Sequence, residues 1–127
     1  MLISTPVSLG ELLDKISILY IKENNITDEK KLALLKEELQ FLNQTLDKHI
    51  EREKIQKHLH ILIEINSKLW VIEDDIRDCE RNKQFDQKFI ELARSVYFTN
   101  DKRSEIKLKI NQEFGSKIIE VKSYEKY

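Results

Sequence analysis

Two glycines and one proline in 127 residues leave this chain few places to turn sharply. A β-rich or loop-rich domain of this length needs many more turn-forming residues. Long helices joined by a few short connections satisfy the constraint, so the fold class is all-α. Hydrophobic residues make up 40% of the chain, enough for one core, and residues 1–127 read as a single helical domain.

The element pattern follows from the apolar spacing. Residues 1–7, MLISTPV, read as extended: β-branched residues favour strand, and Pro6 drives Thr5 out of the α region. Ser8 with Glu11 three residues on forms a capping box that opens a first helix over about residues 9–23. Leu12, Leu13, Ile16, Ile18, Leu19, Tyr20 and Ile21 cover most of its circumference, which predicts burial on several sides. Thr27 or Asp28 caps a second helix, where Leu32, Leu35, Leu39, Leu42 and Leu46 form an unbroken heptad seam. The segment 47–52, DKHIER, breaks that pattern and marks the next connection. A third helix carries apolar residues from Ile55 to Cys79 at alternating spacings of three and four and ends near Arg81. A fourth starts around Asp86 and uses Phe89, Leu92, Ala93, Val96 and Tyr97. It either continues through residues 98–102 to Ile110 and Phe114 or bends there, because Thr99 and Asn100 are both plausible caps. Gly115 suits the left-handed residue that closes a helix. The tail KIIEVKSYEKY has strand character and is placed to pair with the extended N-terminus. Together these give two antiparallel helical hairpins, helix 1 with 2 and helix 3 with 4. They form a four-helix bundle or a coiled-coil-like assembly. The seams of helices 2 and 3 serve equally well inside one chain or across a dimer interface.

Charge narrows the function classes. The 22 basic and 23 acidic residues nearly cancel, which argues for solvated helix faces and against a nucleic-acid footprint. No apolar run reaches bilayer-spanning length, and the N-terminus lacks the basic region of a signal peptide. The single cysteine makes no internal disulfide. A cytoplasmic protein with no cofactor, no metal and no membrane partner is expected, with self-association into a homo-oligomer.

No constellation of known catalytic type is present. His58 and His60 sit two apart, so a helix points them in divergent directions and they cannot clasp one metal. Two glycines cannot build a phosphate loop. The segment LWVIEDDIRDCE crowds Glu73, Asp74, Asp75, Asp78 and Glu80 into two turns. Asn66, Trp70, Glu73, Arg77 and Glu80 share one stripe of that helix. All-α nucleotide pyrophosphohydrolases hold Mg²⁺ with acids from neighbouring helices in tight EExxE and ExxD spacings, which this segment echoes only in part, and Glu11 with Asp14 would join such a set. Ion pairing such as Glu73 with Arg77 is the plainer reading. The fourth helix shows the sharpest anomaly: Asn100, Arg103 and Lys107 occupy seam positions where apolar residues are expected. An antiparallel register sets Glu73 across from about residues 96–100, and Asn66 across from about Arg103. A connected polar layer of Glu73, Arg77, Asn100, Arg103 and Lys107 is therefore expected. It is either a structural network or a pocket for an anionic ligand or a partner's carboxylates.

The stretches PVSLGELLDKISIL, LWVIEDDIRDCE, FIELARSVYFTNDKRSEIKLKIN and EVKSY resemble a family of short helical proteins from bacteria and phages, domain of unknown function 6165. The likeness runs through most of the chain and is weakest over residues 40–60. It implies no activity, ligand or catalytic residue, and hints only at a role beside surface-polysaccharide synthesis. Its motifs fall on Glu11, Asp14, Lys15, Trp70, Glu73, Asp74, Asp75, Arg77, Arg94, Tyr97, Asn100, Asp101 and Arg103. Two functions stand against each other: a non-enzymatic helical interaction module, or a small all-α protein that binds or hydrolyses a nucleotide or phosphate ligand with Mg²⁺.

Overall fold

Ser8 starts the first helix. Its hydroxyl accepts the Glu11 amide at 3.1 Å and caps α1, Leu9–Asn25. The Glu11 carboxylate turns outward to Lys107. The helix runs two residues past the predicted end, and the Asn25 side-chain amide donates to the Ile21 carbonyl at 2.7 Å. Asp28 caps α2, Glu29–His49, by accepting the Lys31 amide at 2.9 Å. These elements belong to a computed structural model in which residues 1–123 are described.

The connection to α3, Arg52–Arg81, is shorter than the sequence pattern indicates, and consists of Ile50 and Glu51 alone. The reason is local. Leu46 is fully buried and holds the last turn of α2 in place, and the Ile50 amide still reaches the Leu46 carbonyl. The polar residues that break the heptad clamp the corner from outside: Arg52 donates to Asp47 at 2.8 and 3.1 Å and to Asn43 at 3.0 Å. At the far end of α3, Lys83 turns the chain with φ of 53°, a left-handed conformation usually left to glycine. Helix α4, Gln87–Glu113, is continuous through residues 98–102. Gly115, at φ 67°, closes it, and the Ser116 amide returns to the Asn111 carbonyl.

Helix α1 is the hub. It packs against α2, α3 and α4, while α3 and α4 pack along each other and α2 rests on α1. Leu13 and Ile16 on α1 meet Leu46, Ile55, Leu62 and Ile110 in the core. Glu11 bonds Lys107 and Asp14 bonds Arg103, so rising numbers on α1 meet falling numbers on α4, and the two run antiparallel. Gly10 permits the approach. A Cβ there would stand 2.5 Å from the Lys107 carbonyl oxygen, and its amide donates to the Asn111 side chain at 2.7 Å.

No strand forms among the described residues, so the extended N-terminus is not paired with residues 116–123. Side chains satisfy that end of the molecule instead: the Leu9 amide donates to the Ser116 hydroxyl, and Glu120 bonds Lys107. The rest of the predicted terminal strand, residues 124–127, lies outside the described residues. Among the described residues no helix is long and apolar enough to cross a membrane.

Candidate functional site

The polar positions of α4 are answered by α1. Asp14 is 1% exposed, although it lies on a helix otherwise lined with Leu12, Leu13, Ile16 and Leu19. A bare carboxylate there would cost several kcal/mol. Arg103 meets it in a two-pronged pair: Nε donates to Oδ1 at 2.8 Å and Nη2 to Oδ2 at 2.5 Å. The Asn66 side-chain amide, from α3, donates to Asp14 Oδ1 at 2.9 Å and to the Ser17 hydroxyl at 2.8 Å. Ser17 in turn donates to the Asp14 carbonyl at 2.6 Å. One carboxylate thus ties three helices together. Burial pushes the Asp14 carboxyl up, but the Arg103 and Asn66 hydrogen bonds and the charges of Arg103 and Lys107 outweigh it, and it stays below its ordinary value of 3.8. The same bond to Asp14 raises Arg103.

One turn along, Lys107 Nζ donates to Glu11 at 2.6 Å and to Glu120 at 3.1 and 3.2 Å. That bond lowers Glu11. Burial depresses Lys107, and the two carboxylates more than restore it, so it ends raised.

The expected layer therefore divides. Arg103 and Lys107 face the acids of α1. Glu73 and Arg77 pair with each other along α3 at 3.5 Å, largely exposed. Asn100 accepts from Arg103 Nη1 at 3.4 Å. Four of the five do share a surface: Glu73, Arg77, Asn100 and Arg103 line a half-open cleft of about 390 Å³ between α1 and the α3/α4 hairpin, and Lys107 lies outside it. Ile18, Ile21, Leu69 and Trp70 give the cleft apolar walls, and Asn66 and Asp74 complete its polar lining.

Residues 3–127 match the family described as Family of unknown function (DUF6165). The chain belongs to that family. The stretches that carry the resemblance supply every member of the buried network except Asn66. No curated protein and no solved structure gives a significant match.

The remaining candidates lie apart. Lys15 is exposed and reaches Glu11 at 3.9 Å. Asp75 is partly buried on α3, and Asp101 partly buried on α4. Arg94 stands over the Phe98 ring at 5.8 Å, and Tyr97 lies against the same ring at 5.0 Å. Cys79 is a buried thiol. His58 contacts Glu113 at 2.9 Å and the edge of Phe114, while His60 turns to Gln56. Among the described residues no three His, Cys, Asp or Glu side chains converge on a point that holds a metal. Glu11 and Asp14, offered as Mg²⁺ ligands, already face an ammonium and a guanidinium.

Ser17 and Glu120 join the network with no signal in the sequence pattern. The hairpin register sets Asn66 near Arg103, whereas its hydrogen bonds go to Asp14 and Ser17 on α1. The available signal was Asp14 itself, an acid on a helix that is apolar nearly all round.

Proposed function

We propose that this protein is a non-enzymatic helical self-assembly module of the cytoplasm, and that the distal half of the α3/α4 hairpin docks onto a second copy. One observation carries the reading. Between Leu69 on α3 and Ile110 on α4, Cys79 is the one fully buried apolar residue among the described residues. Ile72 and Ile76 on α3 and Phe89, Leu92 and Val96 on α4 stay only partly buried. Phe85 and Ile90 at its tip are about half exposed, with Phe85 held edge-on to Phe89.

Length explains the shortfall. Helix α1 has 17 residues, whereas α3 has 30 and α4 has 27. At about 1.5 Å per residue, α1 covers roughly half of the hairpin. Two helices alone do not enclose a core, and a second hairpin packed antiparallel completes a four-helix, coiled-coil-like arrangement. Burying the remaining surface of each such side chain is worth roughly 1 kcal/mol.

Light scattering at micromolar concentration tests the reading. The expected mass is a multiple of the 15.2 kDa chain, falling to the single-chain value in Ile90→Glu with helicity retained. A wild-type particle of 15.2 kDa at those concentrations would overturn it.

A further inference from the structure

The cleft between α1 and the α3/α4 hairpin has a polarity of its own. Its deepest polar group is Asn66, 5% exposed. Both N–H groups of that amide are committed, to Asp14 and Ser17. Its carbonyl oxygen takes part in neither bond, and Asn66 lines the cleft. A carbonyl dipole held by two anchored N–H groups is a fixed acceptor.

The charges on the walls agree with it. Arg103 spends Nε and Nη2 on Asp14, so its charge is matched beneath the cleft. Arg77 is matched by Glu73. Asp74 lines the same cleft with no ion pair among the described residues. One carboxylate is therefore in excess, beside the chain's single tryptophan. An anion such as phosphate meets neutralised cations and a repelling Asp74. A cation meets Asp74, Glu73 and an indole ring, the residue whose face best attracts ammonium and guanidinium groups. Ile18, Ile21 and Leu69 offer an apolar surface beside these acceptors, and the volume is that of a small-molecule site.

We propose that this cleft binds a small organic cation, with an ammonium or guanidinium head on an apolar body. The head takes the carboxylates of Asp74 and Glu73, displacing Arg77 from Glu73. The body lies against Trp70, Ile18 and Ile21.

Trp70 makes the test direct, because the tryptophan fluorescence of the protein comes from the cleft alone. The probes are n-hexylamine and agmatine, with hexanol, hexanoate and inorganic phosphate at the same concentrations and ionic strength. The amines should give a saturable change in Trp70 emission, half-complete near about 1 mM, the level a fragment of about seven heavy atoms reaches. The other three should give none. Asp74→Asn should weaken binding about tenfold, as loss of a charge-assisted hydrogen bond does. Arg77→Ala should tighten it about threefold or more by removing the competing cation. Both side chains are on the surface, so circular dichroism will show folded variants. Saturable binding of phosphate, hexanoate or hexanol in preference to the amines would overturn the proposal. So would no response to either amine up to about 10 mM, ten times that midpoint, or amine binding unchanged in Asp74→Asn.

Discussion

Replacing Arg103 with alanine leaves the Asp14 carboxylate buried with one donor, the Asn66 amide. Removing one partner of a buried ion pair costs about 3–5 kcal/mol. Arg103 is 28% exposed, and water entering from that side screens the stranded charge, so about 3 kcal/mol is expected. For a chain of this length that lowers the melting temperature by about 11 °C at neutral pH. The pH dependence identifies the cause. In the wild type Asp14 titrates below its ordinary 3.8, so its contribution is present above that pH and is lost as pH falls through the lower folded value. In Arg103→Ala burial dominates and the folded value rises above the unfolded one. The variant is then least hurt in acid, and its deficit grows as pH rises through the raised value. Melting curves from neutral pH down to about 4 should therefore converge. Arg103→Met should behave like Arg103→Ala, and adding Asp14→Asn to Arg103→Met should recover more than half of the loss. A deficit under about 0.5 kcal/mol, the level of an ordinary surface change, or one that stays constant down to pH 4, would refute the bracing role of Asp14.

Three further outcomes are expected. Gly10→Ala sets a Cβ against the Lys107 carbonyl, and urea melts should show a loss of about 2 kcal/mol as α1 is forced off α4. Lys107→Met removes a raised lysine and the partner of a lowered Glu11. The wild-type pair stabilises above the ordinary Glu11 value of 4.5 and fades as pH rises through the raised Lys107 value, above 10.5. The variant should lose about 1 kcal/mol at neutral pH, and its stability should change less than that of the wild type above about pH 10.5. Lys83→Gly relieves a left-handed residue, and thermal melts should show a gain of about 0.5–1 kcal/mol.

Much of the fold was legible because its signals are local. Ser8 and Asp28 cap the helices the sequence assigns to them, and Gly115 closes the last one, because each acts within one turn. The corner at Ile50–Glu51 is narrower than the pattern predicts because polar residues 47–49 end an apolar seam without ending a helix. Thr99 and Asn100 resemble caps, yet the helix runs through them, since the Asn100 side chain serves Arg103 rather than a free amide. The site was half legible. Polar residues at seam positions of α4 signalled buried partners, but hairpin register compares only α3 with α4. Helix α1 packs against both, and Asp14 and Glu11, three residues apart, meet Arg103 and Lys107, four apart. That match depends on three-body packing, which no periodicity within one helix encodes. The cleft was out of reach for the same reason: Ile18 and Ile21 come from α1, and the rest of its lining comes from the hairpin.

Amide hydrogen exchange across a range of protein concentrations tests self-assembly through the hairpin most directly. Docking of a second copy buries the tip, so amides of residues 82–98 should gain protection as concentration rises from nanomolar to micromolar, with α2 unchanged. Ile90→Glu should abolish that dependence. Exchange in residues 82–98 that is independent of concentration, in a chain whose α1 amides remain protected, would contradict docking through this hairpin.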